Sequence, residues 1–295
     1  MKEKIIYALG FFDGVHLGHQ DLLDTCRSLA KKEKAKAGVL TFTGSLMKEG
    51  QGLITTLEER EILFRQQKME EILILPFDEN LKKMPWQAFY RLLKEKYHAA
   101  GFVCGEDFRF GTGGEGTASS LQEICQKEGL PCCVVEKVKV ENTVVSSRQI
   151  RTLLEEGNIE KANALLGHPH LLAGKVEAGK QLGRTIGVPT ANLPYDPERV
   201  KLPHGVYACR TEVEGRSHIA VTNIGSRPTV EGESVTVEPW ILDFNGDLYG
   251  EELRLEVYAF LRPEKKFPDL QQLKAQIAMD ALCAREIFEK DGGNP

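Results

Sequence analysis

Apolar residues in the first half of the chain fall into short blocks of strand length: Ile5–Leu9, Gly38–Phe42, Ile72–Phe77, Gly101–Cys104 and Cys132–Val138. Between them, Gln20–Lys31, Leu57–Met69, Trp86–Tyr97 and Ser119–Lys127 carry apolar residues at helical intervals. Strands alternating with helices predict an α/β doubly wound parallel sheet with helices on both faces. Two short helices are expected next, Arg148–Glu156 and Ile159–Leu166, with Gly157 and Gly167 as their C-terminal stops. Beyond His168-Pro169 the pattern changes to strand-like runs at Ala173–Glu177, Val206–Val213, His218–Ile224, Ser234–Leu242 and Leu253–Leu261. Asn245-Gly246 predicts a hairpin turn. A closing helix over Pro268–Lys290 has apolar positions at Leu270, Leu273, Ile277, Ala278 and Leu282. This half predicts a small antiparallel β-barrel with a C-terminal helix. The change of pattern puts the domain boundary near residue 167, giving domains 1–167 and 168–295.

The 295 residues suffice for two domains of ordinary size. A net charge of −5 gives no basic footprint and so does not suggest a nucleic-acid partner. An acidic chain still binds ATP well, because backbone dipoles and one or two basic side chains are enough. No apolar run approaches the roughly 20 residues of a membrane span. The first residues lead directly into a strand, which leaves no room for a signal peptide. Seven cysteines without a Cys-x-x-Cys pair read as free thiols in a reducing, cytoplasmic compartment.

The chemistry concentrates in a few loops. Gly10-Phe11-Phe12-Asp13-Gly14-Val15-His16-Leu17-Gly18-His19 joins a strand to a helix through a glycine-rich turn. Such a turn aims backbone N–H groups at a phosphate chain, and glycine lets the backbone come close. His16 and His19, three apart, share one face of the first helical turn and can donate to phosphate oxygens where charge develops. A metal reading of His-x-x-His finds no further His or Cys cluster to complete it. Gly105-Glu106-Asp107-Phe108-Arg109-Phe110-Gly111, also after a strand, offers groups suited to ribose, phosphate and ring contacts. Ser147 reads as a helix cap that leaves N–H groups for an anion, with Arg151 one turn along. In the second half, Gly183 and Gly187 around Arg184 suggest a phosphate-covering loop. Pro189 follows, and Thr190 and Asn192 offer hard oxygen ligands suited to Mg²⁺ bridging nucleotide phosphates.

The string G-x-F-D-G-x-H-x-G-H over Gly10–His19 resembles the N-terminal signature of prokaryotic bifunctional riboflavin kinase/FAD synthetases. Gly105–Gly111 is similar to that family's G-E-D-F-x-F-G motif, and Gly183–Asn192 to its riboflavin kinase signature G-R-x-x-G-x-P-T-A-N. The resemblance runs over about residues 5–288. It implies ATP-dependent phosphorylation of riboflavin to FMN, then adenylylation of FMN to FAD with release of pyrophosphate, with Mg²⁺ at both sites. It further implies that His16 and His19 stabilise the pentacovalent phosphorus and that Ser147 and Arg151 hold the ATP phosphates. Gly10, Phe12, Asp13, Gly18, Gly105, Asp107 and Phe108 line the nucleotide or flavin pocket under the same resemblance, and Glu238 takes the proton of the ribityl 5′-hydroxyl.

Three positions depart from the pattern. Thr43-Gly44-Ser45-Leu46 stands where the family carries a Pro-His-Pro turn, Arg148 replaces a threonine, and Trp240 stands where histidine is common. The first two motivate a second reading, a riboflavin kinase with a weakened or inactive adenylyltransferase domain. A third, a non-enzymatic flavin-binding module, has no need of His16, His19, Thr190, Asn192 and Glu238 together.

Overall fold

A computed structural model describes residues 3–43, 51–178, 188–229 and 232–290. The chain divides into two compact units, Met1–Gln51 with Arg60–Ser147, and Gly52–Glu59 with Arg148–Pro295.

The first part of the chain runs β1 (Ile5–Leu9), α1 (Leu17–Glu33), β2 (Lys36–Thr43), α2 (Leu57–Gln66), β3 (Glu71–Pro76), α3 (Glu79–Lys82), α4 (Trp86–Glu95) and β4 (Ala99–Gly105). It continues with β5 (Arg109–Phe110), β6 (Gly116–Thr117), α5 (Ala118–Glu128), β7 (Cys132–Val135), β8 (Lys139–Val140) and β9 (Thr143–Val144). Five strands form a sheet in the order β3-β2-β1-β4-β7, and every pairing in it is parallel. Every residue of β1 is buried, as the continuous apolar block requires of a central strand. The chain winds outward from β1 through β2 on one side and β4 on the other, so the strand order reverses at β1. Ligands bind beyond the carboxyl ends of strands at such a reversal, which is where Gly10 follows β1 and Gly105 ends β4.

Local chemistry sets the element ends. Helix α1 begins at Leu17, three residues before the periodic segment, because His16 caps it and accepts from the His19 backbone N–H. Thr117 and Ser120 form a reciprocal capping box on α5. The strand expected over Cys132–Val138 stops at Val135. A separate hairpin, β8–β9, follows, turning through Glu141 and Asn142, both at positive φ. The periodic pattern does not reveal such two-residue strands.

The second unit contains the helices α6 (Ser147–Glu155, from Arg148 on) and α7 (Ile159–Leu166). Its strands are β10 (His170–Lys175), β11 (Leu193–Pro194), β12 (Gly205–Val213), β13 (Arg216–Thr229), β14 (Gly232–Ile241) and β15 (Glu252–Pro263), and α8 (Leu270–Lys290) closes the chain. Gly157 and Gly167 both sit at φ 74° beyond their helices, as expected of stops. The six strands pair in the order β10-β15-β12-β13-β14-β11. The two edges come together where the Glu177 N–H donates to the Asn192 carbonyl at 2.8 Å. The result is a nearly closed antiparallel barrel. Helix α8 lies against one face of the sheet, where its Ala284 and Phe288 meet Val206, Ala208, Val221 and Ala259.

Asn245-Gly246 is not a hairpin turn. β14 and β15 are separated in the sheet by β13 and β12, so the dipeptide lies in a long connection between strands that do not pair.

Inside the second unit, Glu59 and Arg199 form a buried ion pair at 2.6 Å. Glu59 also accepts the Ala173 N–H at 2.8 Å, and Arg199 donates to the Leu171 carbonyl at 2.9 Å. Asn163 on α7 brackets two strands, accepting from the His170 N–H and donating to the Val257 carbonyl, both at 2.8 Å.

Candidate active sites

In the first unit, the turn after β1 is built from unusual backbone. Phe12 (φ 59°), Gly14 (φ 83°) and Val15 (φ 40°) all lie in the left-handed region, which costs a side-chain-bearing residue of order 1–3 kcal/mol. The Ser147 hydroxyl donates to the Asp13 carbonyl at 3.0 Å, tying the turn to the chain at the start of α6. A cavity of about 510 Å³ opens over it. Of the residues singled out in the sequence, Gly10, Phe12, His16, Gly18, His19, Gly105, Asp107, Phe108 and Ser147 all line this cavity. Asp13 belongs to the same turn and is buried.

The two histidine rings stack with centroids 3.6 Å apart and planes 15° from parallel. Burial pushes the His19 imidazole well below the ordinary histidine range, and the nearby His16 and Arg60 push it the same way. Its Nδ1 is buried and makes no hydrogen bond. Neutral His19 is thus held ready for an anion to raise its proton affinity.

Lys137 also lines the cavity and pairs with Asp107 at 3.0 Å. It stands in no motif, and no pattern in the sequence marks it. Arg148 is exposed. Arg151 lies in the second unit, buried, with Nε donating to the Gly52 carbonyl at 2.7 Å. Thr43 ends β2, while Gly44, Ser45 and Leu46 lie outside the described residues.

In the second unit, a cavity of about 570 Å³ is lined by Thr190, Asn223, Glu238, Trp240, Arg262 and Phe267, with Val188, Leu273 and Ile277 among its apolar walls. Asn223 and Glu238 face each other across the β13–β14 pairing. Thr236 Oγ1 donates to Glu238 Oε1 at 3.3 Å, steadying the carboxylate. Arg262 forks onto Asp280 of α8, with Nε and Nη2 donating at 2.9 Å and 2.7 Å. A second cavity of about 180 Å³, on the far side of Thr190, is lined by Pro189, Ala191, Phe244, Asp247 and Tyr249 among others. Thr190 is common to both walls. Asn192 is half-buried two residues on, where β11 begins. Gly183, Arg184 and Gly187 lie outside the described residues.

The oxygen donors here fit a divalent cation shared with phosphates. Thr190 supplies a hydroxyl on the wall between the two cavities. Among the described residues no group of three His, Cys, Asp or Glu could hold a metal unaided. A hard cation that keeps few protein ligands and takes the rest from substrate matches that arrangement.

A parallel sheet with a phosphate-binding turn at its reversal point, joined to a barrel carrying its own carboxylate-lined cavity, defines a two-site nucleotide-dependent transferase. Residues 1–149 match the FAD synthetase family and residues 166–288 the riboflavin kinase family. The chain is 36% identical to the bifunctional riboflavin kinase/FMN adenylyltransferase of Bacillus subtilis (strain 168), over 97% of this chain and 93% of that protein. It is 34% identical to the protein of the same name from Escherichia coli (strain K12), over 97% and 94%. The chain belongs to the bifunctional riboflavin kinase/FMN adenylyltransferase family. A crystal structure described as a macrolide-efflux protein from Streptococcus pneumoniae superposes with a TM-score of 0.84 at 30% identity, covering 97% of this chain and 95% of that one. Among the described residues, no helix is long and apolar enough to cross a membrane. Both halves match and the named relatives carry both activities, so nothing favours the kinase-only reading.

Proposed function

We propose that the barrel phosphorylates riboflavin at its larger cavity and that the parallel-sheet unit adenylylates the resulting FMN, in a cytoplasmic enzyme using ATP and Mg²⁺ at both sites. The catalytic domains are assigned as 1–167 and 168–295. One observation carries the reading: each motif set converges on its own cavity, His16 and His19 on one and Thr190 and Glu238 on the other.

In the barrel, Trp240, Phe267 and the aliphatic wall suit the flat isoalloxazine ring, and the smaller cavity beyond Thr190 suits the nucleotide. Glu238 accepts the proton of the ribityl hydroxyl as that oxygen attacks the γ-phosphorus of ATP and ADP leaves; a carboxylate suffices because the proton leaves only as the bond forms. Thr190 and Asn192 would hold the cation, which neutralises phosphate charge when bound. Gly183, Arg184, Gly187 and Pro189 are assigned to the nucleotide from the motif.

In the first unit an FMN phosphate oxygen attacks the α-phosphorus of ATP and pyrophosphate leaves. Little covalent work is required; positioning and charge neutralisation carry the step. His16 and His19 donate to the phosphorus oxygens, Ser147 holds the phosphates, and Gly10, Phe12, Asp13, Gly18, Gly105, Asp107 and Phe108 frame the ring systems; Arg151 is assigned to the phosphates from the motif alone.

The test is chromatography of the flavins formed from riboflavin, ATP and Mg²⁺, with a parallel reaction started from FMN. FAD in both reactions is the expected result. FMN from the first and nothing from the second would leave a kinase without adenylyl transfer.

A further inference from the structure

Arg60 has no place in any of the motifs, yet it is 2% exposed beside the nucleotide turn. Its Nη1 donates to the Phe11 carbonyl at 2.8 Å and to Thr41 Oγ1 at 2.9 Å, and Nη2 reaches the Phe42 carbonyl at 3.4 Å. Thr41 Oγ1 donates to the same Phe11 carbonyl at 2.8 Å. The guanidinium carbon sits 4.4 Å from the centre of the Phe11 ring, and Phe11 lines the cavity. All these partners are neutral. Among the described residues Arg60 forms no ion pair, and its Nε is buried without a hydrogen bond.

A buried cation is costly unless an anion answers it. Here Asp13 acts on it only at a distance. The cation lies under the turn that must accept a polyphosphate, and its fork joins the carboxyl ends of β1 and β2. Phe11, whose carbonyl it holds, directly precedes the left-handed Phe12. The same charge contributes to keeping His19 neutral. We propose that Arg60 is a positioning residue for adenylyl transfer: its fork fixes the Phe11–Val15 turn, and its unpaired charge draws the nucleotide's phosphate chain to that turn. The proposal rests on the reading of this cavity as the adenylyltransferase site.

The test reads inhibition of FAD formation from FMN, which reports the first site alone. The probes are inorganic pyrophosphate with Mg²⁺, which is charged, and adenosine, which is not. In Arg60→Met the inhibition constant of pyrophosphate rises about tenfold or more, while that of adenosine stays within about threefold. Arg60→Lys keeps the charge and recovers pyrophosphate inhibition, but turnover stays about tenfold down because an ammonium lacks the planar fork. A purely structural role moves both inhibition constants together, and that result overturns the proposal. Should Arg60→Met not fold, the unaltered protein labelled at arginine decides. Its buried Arg60 Nε–H resonance shifts with pyrophosphate and not with adenosine; a resonance that ignores pyrophosphate overturns the proposal. If the unaltered protein makes no FAD from FMN, the reading of the site fails instead, and kinase turnover in the same sample shows that the chain is intact.

Discussion

His16 and His19 stack face to face, their ring centroids 3.6 Å apart, with the His16 Nδ1 accepting from the His19 backbone N–H. That bond leaves His16 Nδ1 without a proton. Two stacked imidazolium ions would repel strongly, and burial adds to the cost of charging His19. The free enzyme therefore holds the pair with His19 neutral near pH 7.

An incoming triphosphate reverses this balance, because its negative charge favours the imidazolium. We expect ATP or pyrophosphate binding at this site to take up a proton, increasingly as the pH falls toward 6 (about half a unit below the ordinary histidine value). Titration calorimetry in buffers of different ionisation enthalpy measures the uptake. His19→Gln should remove it from the first site's share, and an unchanged proton count would mean that His19 stays neutral in the complex.

The same residue separates the two activities. His19→Ala should lower FAD formation from supplied FMN by about 10²–10³-fold, the usual effect of losing one donor to a developing oxyanion. FMN formation from riboflavin should be unchanged, since Glu238 and Thr190 line a cavity of the other unit. Parallel loss of both would argue for one shared site. Flavin chromatography with each starting substrate makes the comparison.

Much of this architecture is legible in the sequence, and the exceptions have physical causes. The parallel sheet follows from apolar blocks such as Ile5–Leu9, and its functional end from the Gly10–His19 turn, because local spacing encodes both. The stack of His16 on His19 is not legible, because it depends on His16 leaving the helix to cap it. Arg60 is hidden for a different reason. It follows a Thr56–Glu59 capping box, a pattern that marks a helix start and says nothing of a cation meeting β1 and β2. The placement of Gly52–Glu59 with the second unit depends on long-range contacts such as the Leu53–Arg199 bridge. Asn245-Gly246 misleads because a favourable turn dipeptide does not determine which strands pair.

The Glu59–Arg199 pair bears on where the barrel can be cut. A fragment beginning at His168 keeps Arg199 and loses Glu59, leaving a buried cation unpaired. Removing one partner of a buried pair costs about 3–5 kcal/mol. The fragment also loses Asn163, which brackets β10 and β15. We expect it to unfold at clearly lower urea than the barrel in the full chain, and Glu59→Leu in the full chain to reproduce most of the loss. Replacing both Glu59 and Arg199 by methionine should recover part of it. Equal stability of fragment and full-length barrel would mean that the pair contributes little.

His170 makes the barrel's stability depend on pH. Its ring is fully buried, neither ring nitrogen has a hydrogen bond, and burial with Arg199 and His168 nearby holds its pKa well below the usual value. The unfolded chain binds a proton at this histidine below about pH 6.5, and the folded one does not. Its contribution is therefore present in full above that value and lost as the pH falls toward the lowered folded pKa, at up to about 1.4 kcal/mol per pH unit. His170→Leu should flatten the decline in melting temperature between about pH 6.5 and 5. An unchanged slope would place the acid sensitivity elsewhere.

Glu238 gives the sharpest separation of roles in the barrel. Its carboxylate faces Asn223 across β13–β14 and is steadied by Thr236 at 3.3 Å, so glutamine at this position preserves shape and one acceptor but cannot take a proton. If Glu238 is the base, Glu238→Gln should cut kcat for FMN formation by about 10²–10⁴-fold with little change in the KM for riboflavin. FAD formation from supplied FMN should continue at the unaltered rate. A rise in KM with kcat preserved would instead mark Glu238 as a binding group. Steady-state kinetics on both reactions, from one preparation of the variant, distinguishes these outcomes and uses the adenylyltransferase as an internal measure of intact protein.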